Sequence, residues 1–132
     1  MFLYRLNEEE KKAFLELAHY LARVDNNFMD KEKEIIKQYC IEMNIQDIEY
    51  DKNKFDLNKT LQKFKNPKSQ KIVLLEIMAL IYADNILHPA EKRVLNVMCK
   101  EFNINPLMAN IYGEWSKAMM ALYLQAESLI NL

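Results

Sequence analysis

The stretch Asp25-Asn26-Asn27-Phe28-Met29-Asp30-Lys31-Glu32 decides how this chain is read, because the chain writes it twice. Asp84-Asn85-Ile86-Leu87-His88-Pro89-Ala90-Glu91 repeats its skeleton 59 positions later, without a gap. Residues 21–45 set against 80–104 share nine of 25 positions. The pairs are Leu21/Leu80, Asp25/Asp84, Asn26/Asn85, Glu32/Glu91, Lys33/Lys92, Cys40/Cys99, Glu42/Glu101, Asn44/Asn103 and Ile45/Ile104. Unrelated segments of this length would share roughly one or two, so the pattern reads as an internal duplication. Each copy spells a helix, a tight acidic turn and a second helix.

Working outward, the helix before the first turn opens at Asn7, a favourable N-cap, with Glu10 placed to complete a capping box. Phe14, Leu17, Ala18 and Leu21 form its apolar stripe. One more turn of that stripe lands on Asp25, whose carboxylate is therefore expected to point inward. A buried carboxylate needs donors. The nearest are the N–H groups of the turn and of the next helix. Asn26 and Asn85 stand where the chain must bend, and asparagine tolerates the left-handed region. Glu32 and Glu91 fall near the third position of the following helices, where a glutamate reaches back to unpaired N–H groups at the positive end of the helix dipole. Structural capping alone accounts for every polar residue of the motif.

Cys40 and Cys99 occupy equivalent places on apolar helical stripes and read as reduced, buried core thiols. No Cys-x-x-Cys or Cys/His cluster argues for zinc or redox work. Beyond Ile45 a polar connection runs from Gln46 to Phe55, followed by a short helix from about Leu57 to Lys65 capped by Asp56. Seven lysines and one acid lie between Lys52 and Lys71. With no arginine and few aromatics, this reads as a solvated basic face and not as a nucleic-acid surface.

Asn66-Pro67 opens a fourth helix in which Glu76 is the only charge between residues 72 and 83. It is expected to be central, with Glu76 on a locally exposed strip in the first reading and a partly buried carboxylate near the turns in the second. A fifth helix runs from Pro89 to about Phe102. Asn105-Pro106 begins the last, with Gly113 marking a potential bend. Only Glu114, Lys117 and Glu127 are charged over residues 103–132. Ile111, Trp115, Met119, Leu122 and Ala126 form one side, with Met120, Tyr123 and Leu124 on another. The plain expectation is a core helix clasping both repeats. The alternative is a partner surface or a homo-dimer through this last helix, since methionines and aromatics suit adaptable contacts.

The expected fold is therefore all-α: one compact domain over residues 1–132, of about six helices, with a pseudo-twofold duplication of a helix-turn-helix hairpin. Its repeat halves are about 8–45 and 66–104, and its final helix about 106–131. One glycine and three prolines in 132 residues supply little for a turn-rich β protein. Half the residues are hydrophobic, 28% are charged and the net charge is −1, which implies no steering toward polyanions or membranes by the whole molecule. No run of about 18 apolar residues exists to span a bilayer. The opening residues carry no signal-peptide pattern, and the expected location is cytoplasmic.

An acidic residue, a turn residue and a glutamate seven positions after the acid, written in two helical hairpins, resembles the TerB-like family. The resemblance rests on Phe14-Leu15-Glu16-Leu17-Ala18, Val24-Asp25-Asn26, Glu32-Lys33, Tyr82-Ala83-Asp84-Asn85 and Glu91-Lys92. The family usually has Asp-Gly where this chain has Asp-Asn at both sites, a departure that costs the bend little. The resemblance implies a helical domain linked to tellurite resistance and bacterial stress responses. It also implies a docking or scaffolding role toward protein partners that are membrane-associated, without direct membrane insertion, and metal binding at the acidic turns has been suggested for such proteins.

Two functions are thus expected in order: a non-enzymatic interaction module, and a divalent-cation site. The second would use Asp25, Glu32, Asp84 and Glu91, with Glu76 and His88 as additions, and converging carboxylates would favour a hard ion such as Ca²⁺ or Mg²⁺. It would not be an EF-hand, because the twelve-residue loop is absent. No other cofactor is expected. Catalysis is the weakest class: no serine or cysteine stands beside a base, and a single glycine cannot build a phosphate loop.

Overall fold

The computed structural model describes residues 1–24, 28–83 and 86–132. Asp25, Asn26, Asn27, Asp84 and Asn85 lie outside these, so the expected inward aim of the two aspartates and the bends at Asn26 and Asn85 fall there too. Among the described residues the chain is helical and contains no strand: a 3-10 turn at Leu3–Arg5, then α1 (Glu8–Arg23), α2 (Asp30–Met43), α3 (Leu57–Leu61), α4 (Pro67–Ile81), α5 (Pro89–Glu101) and α6 (Pro106–Ile130).

Local chemistry fixes these boundaries. Asn7 and Glu10 form the expected box: the Glu10 N–H donates to Asn7 Oδ1 at 2.8 Å and the Asn7 N–H to Glu10 Oε1 at 3.0 Å. Asp56, Asn66 and Asn105 cap α3, α4 and α6 through side-chain oxygens. Each of the three prolines opens a helix, where its missing N–H leaves no bond unmade. The third helix is shorter than expected, ending at Leu61.

The core gathers Phe14, Leu17 and Leu21 of α1, Ile36 and Met43 of α2, and Leu74, Ile77 and Met78 of α4. Phe14 meets Tyr39 edge-on at 4.9 Å, and the Tyr39 hydroxyl donates to the Glu76 carbonyl at 2.7 Å. Central α4 contacts α1, α2 and α6. Glu76 is not on an exposed strip. Its side chain is only 10% exposed and accepts from the Phe2 N–H at 2.8 Å and from the N-terminal ammonium, so it ties the start of the chain to the middle of α4.

The two similar segments end in matching local structure. Both end in an asparagine in the left-handed region, Asn44 at φ 54° and Asn103 at φ 52°. At α2 the Asn44 N–H donates to the Ile41 carbonyl and the Ile45 N–H to the Cys40 carbonyl. At α5 the Asn103 and Ile104 N–H groups donate in the same way to Lys100 and Cys99. Both are Schellman ends, which satisfy carbonyls that a helix terminus would otherwise leave open. The packing of the two hairpins differs, however. α2 lies against α1, whereas α5 packs on α6 and α3 rather than chiefly on α4.

The expectation for the last helix is corrected. α6 is helical without interruption through Gly113 and buries only Ala109, Gly113 and Ser116. These small residues allow α6 to approach α4 closely; a Cβ on Gly113 would stand 3.0 Å from Tyr82 Cε2. Residues 121–130, helical throughout, are all exposed. The outer half of α6 therefore does not clasp the repeats but runs past them.

Candidate functional site

At the acidic turns, Glu32 and Glu91 occupy the third positions of α2 and α5. Glu32 Oε1 accepts from the Met29 N–H at 3.0 Å, and Glu91 Oε1 from the His88 N–H at 3.1 Å. Both side chains are buried, the residues being 5% and 2% exposed. A carboxylate so placed satisfies a backbone donor that burial would otherwise strand, and it faces the positive end of its helix. Asp25 and Asp84, the other two candidate ligands, lie outside the described residues. His88 supplies the N-cap backbone of α5, and Glu76 sits with the chain's N-terminus instead of joining the acidic set. Among the described residues, no group of three or more His, Cys, Asp and Glu side chains is arranged to hold a metal ion.

Beside the first turn, the connection expected to be merely polar pins the end of α1. Arg23 lies over the rings of Phe28, at 4.1 Å, and Tyr50, at 4.8 Å. Its Nη1 donates to the His19 carbonyl at 2.9 Å and stands 2.8 Å from His19 Nδ1, while His19 Nε2 stands 2.8 Å from Asp47 Oδ1. A guanidinium only donates, so Nδ1 accepts and the Nε2–H donates to Asp47; the neutral Nε2–H imidazole satisfies both contacts. Tyr20 stacks on Phe55 at 4.5 Å. A shallow cleft of about 380 Å³ opens between Tyr20, Arg23, Phe28, Tyr50 and Lys52. Its cation already covers two ring faces and bonds a carbonyl, a complete structural role at the C-terminal end of α1. His19 is buried and held on both sides.

The two thiols are buried, as their stripes imply. Burial, with Asp47 adding to it, pushes the Cys40 thiol up to about 11, and burial raises Cys99 as well. Neither is poised as a nucleophile, because only the thiolate attacks.

The most unusual surface is the outer part of α6. Leu122 is 57% exposed and Leu129 69%, with Tyr123, Leu124 and Ile130 similarly bare. Glu127 is the only charged residue between 121 and 130. Monomeric proteins rarely show contiguous apolar patches beyond a few hundred Å², and such patches mark interaction sites. Of the two expectations for this helix, the core-helix reading misplaced it, because it assigned the large apolar residues to the core. The missed signal was the small-residue row Ala109, Gly113 and Ser116, which marks the side that packs. Comparison with protein-family models, curated proteins and solved structures found no match to this chain.

Proposed function

We propose that the chain is a non-enzymatic helical interaction and scaffolding module of the TerB-like, tellurite-resistance and stress-response type, which presents the outer half of α6 to a protein partner. The single observation that carries the reading is that exposed, almost uncharged helix on an otherwise well-capped, well-packed body. The doubled Asp-Asn turn, with a glutamate seven residues after each aspartate, supports the family assignment. Among the described residues no helix is long and apolar enough to cross a membrane, which suits a partner docked from outside the bilayer. Reduced thiols at Cys40 and Cys99 suit a cytoplasmic location.

The test is a chain ending at Met120. In dilute solution it is expected to melt cooperatively with a midpoint close to that of the whole chain, and to lose partner association. Loss of cooperative melting would show that residues 121–132 belong to the core and would overturn the reading. A Ca²⁺ or Mg²⁺ site at Asp25, Glu32, Asp84 and Glu91 takes second place, because the two described members already act as caps.

A further inference from the structure

Residues 121–130 of α6 are exposed all round, and within the exposed set one stripe follows a repeat of three and four residues. Met108, Trp115, Leu122 and Leu129 recur every seven positions, and Ile111, Ala118 and Gln125 every seven between them. A seam spaced 3.5 residues apart, sustained for about three heptads, is the pattern of helices that wind around each other. At about 100° per residue, this seam lies on the side of α6 opposite Ala109, Gly113 and Ser116, which face α4. The seven seam residues are exposed, Met108 and Trp115 at only 39%, with Trp115 lying 6.3 Å from the Phe2 ring. The body of the domain therefore borders the inner end of the seam and leaves Leu122, Gln125 and Leu129 clear.

We propose that the seam is covered by a second copy of this chain, the two α6 helices pairing in parallel and in register about a twofold axis. The inference rests on the interaction-module reading and names its partner. Three observations favour a second copy. The seam is self-complementary, its side chains carrying no charge from Met108 to Leu129, so two identical faces meet without repulsion. At roughly 150–250 Å² for an aromatic side chain and toward the lower end of that for Leu, Ile and Met, the exposed fractions of Met108, Ile111, Trp115, Leu122 and Leu129 amount to on the order of 500 Å². Two such faces together bury the ~1,000 Å² that a specific interface needs. Finally, Gln125 is the only polar seam residue. In a parallel, in-register pair it meets its own copy, amide to amide, whereas an antiparallel pair centred on the outer half would set it against Leu122 of the second copy. A polar pair on a seam fixes register, and an unmatched buried amide opposes the alternative. A lipid surface is the weaker occupant, because no Lys or Arg follows Lys117 to draw the helix toward anionic headgroups.

The experiment is sedimentation equilibrium of the full chain over a hundredfold range of concentration. The expected result is a reversible species of twice the 15.7 kDa chain mass. The double substitution Leu122→Glu, Leu129→Glu should weaken dimerisation at least about 100-fold. Leu124→Glu, equally exposed but off the seam, should leave it within about threefold. Helicity and cooperative melting of each variant confirm that it folds. Leu129→Cys should form an interchain disulfide under mild oxidation, as a parallel pair requires. A monomer at every concentration, a dimer indifferent to the double substitution, or a monomer that co-sediments with phosphatidylcholine–phosphatidylglycerol vesicles would each overturn the proposal. Failure here is separable from failure of the broader reading: a monomeric chain whose truncation at Met120 still folds retains the module and loses only the second copy.

Discussion

Asn44 and Asn103, at matching positions of two similar stretches of sequence, both hold the left-handed backbone conformation, at φ 54° and 52°, and each ends its helix in the same pair of hydrogen bonds. The shared Cys, Asn and Ile of the two segments are thus explained by one piece of backbone geometry. The cysteine carbonyl accepts from the isoleucine N–H, and the asparagine makes the reversal. Left-handed residues with a Cβ are strained, asparagine less than most.

Replacing either asparagine by glycine should therefore leave stability unchanged or raise it by up to about 1 kcal/mol, while valine at the same position should cost about 1–2 kcal/mol or more. Urea denaturation of the four single variants checks this. Equal tolerance of glycine and valine would contradict the assignment.

Gly113 makes space for a neighbour. A Cβ there would press on Tyr82 Cε2 at 3.0 Å and Tyr82 Oη at 3.3 Å, Tyr82 being the C-cap residue of α4, the helix that packs most extensively on α6. Gly113→Val should destabilise by about 1–3 kcal/mol through overpacking. Gly113→Ala should fall closer to neutral, since the gain of about 1 kcal/mol in helix propensity offsets part of the clash. Thermal melts of both variants, in comparison with a Tyr82→Ala background that removes the obstruction, separate the two terms.

Alkaline pH should act through buried groups. Burial, reinforced by Asp47, raises the Cys40 thiol from its ordinary 9.0 to about 11, and burial raises Tyr39 well above its ordinary 10.0, with Glu76 and Glu42 adding to it. The folded protein retains protons that the unfolded chain releases, so this stability is fully present below about pH 9. It falls as pH climbs toward 11 and beyond. Urea midpoints at pH 8, 9.5 and 10.5 should decline in that order, and Cys40→Ala should flatten the part between pH 9 and 11. Native Cys40 should also react with a thiol reagent at pH 8 far more slowly than the urea-unfolded chain does.

Removing metal should change nothing. With Glu32 and Glu91 spent on backbone donors, EDTA, Ca²⁺ or Mg²⁺ should leave the melting midpoint within error. Glu91→Ala should cost about 1–2 kcal/mol whatever ion is present, because it strands the His88 N–H. An ion-dependent rise of several degrees would restore the cation site.

The all-helical architecture and most helix starts were legible because they rest on short-range chemistry: Asn7 with Glu10, three Asn or Asp caps, and three prolines at first turns. Glu32 and Glu91 were readable as caps for the same reason. Tertiary choices were not. Glu76 looked solvent-facing on α4, yet the chain's N-terminus folds over it. Asp47 in a polar connection gave no sign that it would meet His19, 28 residues away. The last helix misled because hydrophobicity says which residues avoid water, not which neighbour covers them. There close packing follows the smallest side chains, and the largest are left outside.

The account depends most on residues 121–130 of α6 being bare of their own domain, and amide hydrogen exchange in dilute solution reads this directly. Amides of 121–130 should exchange orders of magnitude faster than those of 109–118, which lie on α4, and should gain protection only as concentration rises. Protection of 121–130 equal to that of 109–118 at every concentration would mean that the helix is covered from within the domain, and the interaction surface would be lost with it.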